Sequence, residues 1–298
     1  MKITNIDLIA APFGEGAGVL GSEKGPSMLM RLGLAPAISH ESLCIHQFTE
    51  IVARVHPYVP QPNLKCGGHT IAYNNQIFLR CSRSFREGNF PLLLAGDHSL
   101  SIGSILAAYE NAKKAGKKFI CLYVDAHTDF NTPDTTPSGN THGMTIAAAA
   151  GLFTDLAVED ADHNLDLGCM IYYGARDVDH EEKKLLEQHP EITIIDMRDP
   201  FHLLTLMDLL DERIDDDTYV HVSFDVDCLD PDHFRATGLN VPDGLRPQEV
   251  EALFHELRKT EAVKSLDVVE YNPSKDNATF EGGQLVNRLV SRLFHNSR

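Results

Sequence analysis

Short apolar runs alternate with amphipathic segments along the whole chain. The runs predict buried strands at 6–11, 91–95, 119–124, 169–174, 192–196, 219–224 and 265–269. Apolar positions at helical spacing predict helices at 25–34, 71–86, 102–109, 147–152, 181–188, 203–210, 247–259 and 284–294. Residues 37–70 show little pattern. Strands that alternate with helices indicate an α/β fold with a mainly parallel sheet, and we expect a single domain over residues 1–298.

The strand at 119–124 is followed by three polar side chains at alternate positions, Asp125, His127 and Asp129. Residues two apart in an extended chain share a face, so these side chains can converge on one centre. Carboxylate oxygens and an imidazole nitrogen suit Mn, Fe or Zn. The alternative is a strand end whose polar residues cap the next helix.

Two further strand ends carry the same kind of residue, with His98 after 91–95 and Asp225 and Asp227 after 219–224. Paired carboxylates on one face repel each other unless a cation or a proton lies between them. The carboxyl ends of parallel strands meet at one edge of the sheet. We therefore predict a centre of two bridged divalent ions, the arrangement that activates water in hydrolases. Its predicted ligands are His98, Asp125, His127, Asp129, Asp225 and Asp227.

Residues 130–144 are polar and punctuated by glycine and proline, which predicts a loop with neither strand nor helix. The loop starts at the predicted metal centre and should form the wall of its pocket. Asn131, Ser138 and Asn140 offer neutral hydrogen-bonding groups, and His142 offers a proton carrier near physiological pH. Ordinary turn chemistry is the alternative explanation for the asparagine and serine residues.

Composition narrows the class of protein. The formal charge is -17, from 26 basic and 43 acidic residues, which argues against a nucleic-acid or membrane-binding surface and favours a soluble protein. The 6 cysteines have no CxxC spacing and read as reduced thiols in a reducing compartment. No signal-peptide pattern and no apolar run of membrane-spanning length is present in the sequence, so we expect a cytoplasmic protein.

Taken together, these motifs resemble those of the arginase (ureohydrolase) family. The resembling segments occur in the family's order and are 95–99, 125–131, 138–143, 223–231 and 270–273. Each segment alone is a weak signal, but their combination is specific. The resemblance implies a three-layer α/β/α fold, two Mn²⁺ ions per subunit, and a homo-oligomer that is a trimer or a hexamer.

The resemblance also implies individual roles. One ion would be held by His98, Asp125, Asp129 and Asp225. The other would be held by His127, Asp125, Asp225 and Asp227, so that Asp125 and Asp225 bridge. Among the catalytic residues, Glu270 would bind the guanidinium group, His142 would relay a proton, and Asp129 would steady the tetrahedral intermediate.

The loop indicates the substrate. It matches the version of the family that holds the α-carboxylate of L-arginine, with Asn131, Thr136, Ser138, Asn140 and His142 in place. Asp179 matches the acid that contacts the α-amino group. Neutral donors suit a carboxylate and an acid suits an ammonium group, so the residue chemistry agrees. The implied reaction is hydrolysis of L-arginine to L-ornithine and urea.

The turn at 238–243 departs from the family pattern. A pocket threonine of the family is replaced by Leu239 or displaced by the altered turn, and a lost hydroxyl there would remove a hydrogen bond near the guanidinium. This departure keeps open another guanidino or formimino hydrolase, with agmatine, guanidinobutyrate or formiminoglutamate as substrate. An inactive regulatory homologue and a metal-storage protein are the remaining alternatives. The retained ligands, His142 and Glu270 argue against the inactive homologue, and the loop 131–142, which storage does not require, argues against the metal-storage protein.

Overall fold

In a computed structural model that describes residues 3–53 and 61–295, an eight-stranded sheet forms the centre of the molecule. Its strands are β1 Asn5–Ala11, β2 Cys44–Glu50, β3 Phe90–Ala95, β4 Lys118–Val124, β5 Met170–Tyr173, β6 Thr193–Ile194, β7 Thr218–Asp225 and β8 Val263–Val269. All neighbouring strands are parallel, in the order β2-β1-β3-β8-β7-β4-β5-β6. The predicted α/β class with a parallel sheet is confirmed. A single domain over 1–298 stays a prediction.

Helices cover both faces of the sheet. They are α1 Gly25–Arg31, α2 Leu34–Ile38, α3 Gly67–Arg86, α4 Ser101–Lys114, α5 Thr145–Ala149, α6 His180–Leu186, α7 His202–Arg213, α8 Pro247–Thr260 and α9 Glu281–Arg292. One apolar core joins the sheet to α1, α2, α7, α8 and α9, and a second joins it to α3, α4 and α5. The result is the three-layer α/β/α arrangement. None of the described helices is long and apolar enough to cross a bilayer.

The central strands were predictable because both of their faces are covered. Every residue of β3 is buried, so its sequence is a continuous apolar run. The edge strand β2 pairs only with β1, and its residues alternate between exposed and half-buried. Because polar and apolar residues are mixed in β2, it forms no apolar run. The segment 37–70, which contains β2, therefore showed little pattern in the sequence.

Three segments differ from their prediction. The predicted strand at 192–196 is reduced to Thr193–Ile194 at the other sheet edge. The helix predicted over 25–34 ends at Arg31, and a separate helix follows at Leu34–Ile38. The predicted loop 130–144 ends in a 3-10 turn at Thr141–Met144. The prediction that this loop contains no helix was therefore wrong for its last residues. This turn leads directly into α5.

The strand order builds the site from distant parts of the sequence. β3, β8, β7 and β4 are consecutive neighbours in the sheet. His98, Glu270, Asp225 and Asp125 stand at or just beyond the carboxyl ends of these four strands. Parallel pairing therefore brings all four side chains to one edge of the sheet, where α/β proteins bind ligands.

A close crossing of α3 and α4 supports the strand end that carries His98. The buried Asn74 donates to the carbonyl of Ser99 at 2.8 Å and accepts from the N–H of Gly103 at 2.7 Å. A Cβ atom added at Gly103 would collide with the backbone of Asn74. Only glycine lets the two helices approach this closely.

Replacing Gly103 by alanine should therefore lower the free energy of unfolding by about 2 kcal/mol, because the two helices must separate. Equilibrium urea denaturation measures this change. Gly143→Ala is the matched control, since a Cβ at Gly143 meets no atom within 4 Å, and it should change the free energy by less than about 0.5 kcal/mol. Equal stabilities for Gly103→Ala and the unmodified protein would refute the close-crossing argument.

Candidate active site

Three carboxylates converge on one nitrogen of His98. Its Nδ1 lies 2.8 Å from Asp125 Oδ2, 3.0 Å from Asp225 Oδ2 and 3.3 Å from Asp129 Oδ2. A ring nitrogen carries at most one hydrogen, and the only one of these three contacts with hydrogen-bond geometry is the one to Asp225. Asp125 Oδ2 is therefore buried with no hydrogen-bond donor, although His98 Nδ1 is close. A cation shared by these groups would satisfy all of them.

A second group adjoins the first. His127 Nδ1 lies 3.1 Å from Asp227 Oδ2 and 3.3 Å from Asp125 Oδ1. Within each of the two groups, His98–Asp125–Asp225 and Asp125–His127–Asp227, the possible ligand atoms lie within 4.8 Å of one another. Asp125 belongs to both groups. Asp225, which the resemblance also makes a bridge, belongs to the first and reaches the second through a hydrogen bond from Asp227 N, 2.7 Å long.

The same local turn forms the ends of β4 and β7. Asp125 Oδ1 accepts from the N–H of His127 at 2.7 Å, and Asp225 Oδ1 accepts from the N–H of Asp227 at 2.7 Å. An aspartate that binds the N–H two residues on ends the strand and bends the chain. In each turn the other carboxylate oxygen of the same aspartate, Oδ2, faces the centre.

The centre holds more negative than positive charge. Asp125, Asp129, Asp225 and Asp227 are all buried. Within the described residues, the ion pairs of these four carboxylates are with histidines. Carboxylate oxygens with imidazole nitrogens, and no thiolate, are the donor set that Mn²⁺ and similar divalent ions prefer. The residues therefore fit a pair of divalent ions.

The pKa values reflect this crowding of acids. Burial and the charges of Asp227 and Asp125 raise the pKa of Asp225 well above its ordinary value. Burial and the charge of Asp125 raise the pKa of Asp129 to about 7. Burial opposes ionisation of Asp125 as well, but the adjacent imidazoles of His127 and His98 outweigh it and lower the pKa of this carboxyl. Asp125 is thus the most firmly ionised member.

Two supporting residues escaped the sequence-based prediction. Ser223 Oγ lies 2.8 Å from His98 Nε2 and fixes the orientation of the ring. The hydroxyl of Tyr123 donates to Asp129 Oδ2 at 2.7 Å. Ser223 and Tyr123 each stand two residues before an aspartate of the centre, on the same strand face. That alternation is the signal that could have revealed them.

His142 and Glu270 form a pair beside the centre. His142 Nδ1 lies 3.1 Å from Glu270 Oε1, which also accepts from the N–H of His98 at 3.0 Å. Burial alone would lower the pKa of His142, but the hydrogen bond and the charge of Glu270 outweigh burial and raise it to about 9. The histidine is therefore protonated at neutral pH in this arrangement.

A small cavity of about 60 Å³ connects this pair to the metal-ligand groups. Asn140, His142, Asp227, Leu239 and Glu270 are among its lining residues. Leu239 lines this cavity and is 43% exposed, so an apolar side chain stands at the rim. Ala17, Gly18, Val19 and Gly238 complete the lining.

The loop residues predicted to bind substrate lie in two hydrogen-bonded pairs. Asn131 Nδ2 donates to Asp179 Oδ2 at 2.7 Å, while Asp179 Oδ1 caps α6 by accepting from two backbone N–H groups. Ser138 Oγ accepts from the N–H of Asn140 at 3.2 Å. The structure thus joins the residue predicted for the substrate carboxylate, Asn131, directly to the residue predicted for its ammonium group, Asp179.

A further cluster of possible ligands, Asp7, His46 and Glu87, lies near the amino ends of the strands. Asn89 donates to both oxygens of Asp7, and Arg83 pairs with Glu87. Its carboxylates already have partners, so this cluster lacks the unsatisfied oxygen that distinguishes the buried centre.

Comparisons with known proteins agree with the geometry. The model of the Arginase family matches residues 4–295. An arginase of Brucella melitensis is 33% identical over 298 residues, which cover 96% of this chain and 95% of that protein. An arginase of Emericella nidulans is 32% identical over 288 residues, covering 92% and 88%. The crystal structure of Entamoeba histolytica arginase in complex with L-ornithine superposes with a TM-score of 0.85 at 26% identity, covering 99% of each chain. The chain therefore belongs to the arginase family of metal-dependent hydrolases that act on carbon–nitrogen bonds.

Proposed function

We propose that the protein is a dimanganese arginase, which hydrolyses L-arginine to L-ornithine and urea. The observation that carries this proposal is Asp125, which is shared by two buried ligand groups beside a cavity lined by His142 and Glu270. The relatives named arginase and the similar structure with bound L-ornithine support it. Urea release from L-arginine by the Mn²⁺-loaded protein tests it.

The proposed ligand sets extend the two groups by Asp129 for the first ion and by Asp225 for the second. His98, Asp125, Asp129 and Asp225 would hold one ion, and His127, Asp125, Asp225 and Asp227 the other. When bound, the two ions supply an acidified water as nucleophile and stabilise developing negative charge. Ser223 and Tyr123 keep His98 and Asp129 in place through their hydrogen bonds.

Glu270 is the proposed partner of the substrate guanidinium. Its carboxylate is buried at the cavity and held by the N–H of His98. A carboxylate and a guanidinium form two parallel, charge-assisted hydrogen bonds, which fix the guanidinium plane. The guanidinium carbon is thereby held over the metal-ligand groups, and Asp129 steadies the tetrahedral species formed when water adds to it.

His142 is the proposed proton carrier. The reaction adds water and breaks the bond between the guanidinium carbon and Nε of L-arginine. This Nε must gain a proton to leave as the side-chain amine of L-ornithine. His142 carries a proton at neutral pH because Glu270 raises its pKa. It stands at the cavity wall, where it can deliver that proton and regain one from water.

Replacing His142 by asparagine should lower kcat about a hundredfold, because general acid catalysis is lost. The pKa of His142 is raised to about 9, so its acid form dominates below pH 9 and is lost as the pH rises through that value. The pH–rate profile should show a falling limb near pH 9, and His142→Asn should lack it. Bound Mn²⁺, measured by elemental analysis, should be unchanged, and persistence of the limb in the variant would contradict the role.

The loop pairs would orient the amino-acid end of the substrate. We assign Asn131, Ser138 and Asn140 to the α-carboxylate, since they are neutral hydrogen-bonding groups. We assign Asp179 to the α-ammonium group, with which a carboxylate pairs. The hydrogen bond between Asn131 and Asp179 would hold the two subsites at a fixed separation.

Leu239 favours a second candidate function within the same family. The apolar rim lacks a hydroxyl that the family pattern offers near the guanidinium, which suits another guanidino or formimino substrate. Comparing turnover of L-arginine, agmatine, 4-guanidinobutyrate and formiminoglutamate distinguishes these substrates. We further propose a cytoplasmic location and a trimeric or hexameric assembly, which cell fractionation and light scattering measure.

A further inference from the structure

We propose that Lys65 is a specificity-determining residue that selects guanidino substrates bearing a carboxylate. This inference rests on the proposed function and concerns the same site. The side chain of Lys65 donates from Nζ to Asn140 Oδ1, with the two atoms 3.0 Å apart. Asn140 in turn lines the cavity that holds His142 and Glu270.

The backbone fixes Lys65 against the loop. Its N–H donates to the carbonyl of Gly139 at 2.8 Å, next to Asn140. On one side of it Leu64 is only 1% exposed and anchors the segment in the core. On the other side Cys66 has a φ of 56° and turns the chain into α3. The lysine side chain is exposed, so its ammonium group can turn from Asn140 to a ligand.

The residues assigned to the substrate leave its α-carboxylate without a cationic partner. Two divalent ions would balance the four buried aspartates of the centre, while Glu270 would pair with the guanidinium and Asp179 with the α-ammonium group. The positive charge of His142 is directed at Glu270. The α-carboxylate then faces only the neutral Asn131, Ser138 and Asn140. Lys65 is a cation whose ammonium group already bonds to one of these three residues, so it can pair with the carboxylate.

Arg176, a further cation near the centre, is engaged elsewhere. The guanidinium of Arg176 donates to backbone carbonyls, among them those of Gly174, Asp227 and Val241. These bonds tie the 238–243 turn to the end of β7. Within the described residues, Lys65 has one side-chain hydrogen bond, to a neutral amide, which it can exchange for a charged acceptor.

The test compares substrates with and without the carboxylate. In Lys65→Gln, KM for L-arginine should rise about tenfold, since a partly exposed charge-assisted contact is lost. Both kcat and the KM for agmatine, which lacks the carboxylate, should change less than about twofold, because agmatine offers this lysine no partner. If agmatine is not turned over, its inhibition constant replaces KM. Lys65→Arg should restore most of the affinity for L-arginine.

Ionic strength gives a second readout. Salt screens exposed charge pairs, so 0.5 M NaCl should raise KM for L-arginine in the unmodified protein and leave Lys65→Gln nearly unaffected. Lys259→Gln, on the exposed face of α8, is the matched control and should behave like the unmodified protein. If Lys65 only positioned Asn140, NaCl would change KM for L-arginine equally in Lys65→Gln and in the unmodified protein. An equal effect, or no effect, overturns the inference.

Calorimetric binding of L-arginine separates the two proposals. If L-arginine binds in a Lys65-dependent way without urea release, the proposed function fails and the role of Lys65 stands. If urea is released with a KM independent of Lys65, only the role of Lys65 fails. If L-arginine does not bind to the Mn²⁺-loaded protein at all, both fail.

Discussion

Replacing Asp125 by asparagine should abolish stable metal binding and lower urea release from L-arginine by about a thousandfold or more, because about 4 kcal/mol of stabilisation by the ions is lost. Asp125 is the residue common to both ligand groups, and the amide removes the charge at nearly constant volume. Its Oδ2, which has no hydrogen-bond donor, is the atom best placed for a cation. Elemental analysis of the dialysed protein and a urea assay measure the two effects.

The matched control for Asp125→Asn is Asp162→Asn, which removes a carboxylate that is 70% exposed and remote from the centre. This control should keep its metal and its activity. Thermal unfolding in the presence of a chelator verifies that Asp125→Asn still folds. Under this condition bound Mn²⁺ stabilises neither the variant nor the unmodified protein. Full Mn²⁺ content in Asp125→Asn would refute the assignment of the bridging ligand.

Replacing Glu270 by glutamine should lower kcat/KM for L-arginine about a thousandfold, since the guanidinium loses its only charged partner in a buried site. Glu270 belongs to neither ligand group, so Mn²⁺ content should remain that of the unmodified protein. The amide also withdraws the charge that raises the pKa of His142. The limb near pH 9 in the pH–rate profile should therefore move to lower pH.

The control for this variant is Glu281→Gln, which changes an exposed glutamate at the start of α9. It should have no effect on kcat/KM or on the pH profile. Loss of Mn²⁺ from Glu270→Gln would show that Glu270 supports the metal centre rather than the substrate. An unchanged kcat/KM would show that the guanidinium binds elsewhere.

The central strands and the positions of the candidate ligands follow from local sequence patterns. A parallel strand buried on both faces is mostly apolar, so β3, β4 and β7 are visible as apolar runs, although β7 also buries His221 and Ser223. The first polar residues after such a run lie at the carboxyl edge of the sheet. His98, Asp125 and Asp225 were found for this reason. The edge strand β2 was missed because its residues are never fully buried.

The contacts that refine the site could not be read from sequence because they join distant residues. His98 meets Ser223 only because β3 and β7 lie on either side of β8. The approach of Lys65 to Asn140 depends on how the chain enters α3. Cys66 adopts a left-handed backbone conformation there, and no local sequence pattern predicts it. The link between His142 and Glu270 likewise requires the complete sheet order.

The central claim is that the protein hydrolyses the guanidinium group of L-arginine, with two divalent ions in the buried centre and Glu270 as the partner of the guanidinium. Its most direct test is hydrolysis by the purified protein after chelation and reloading with Mn²⁺, measured under identical conditions as urea from L-arginine, agmatine and 4-guanidinobutyrate and as formamide from formiminoglutamate. We predict urea from L-arginine at the highest kcat/KM of the four, and loss of activity on chelation. Absence of urea from L-arginine at every pH, with Mn²⁺ bound, would contradict the account.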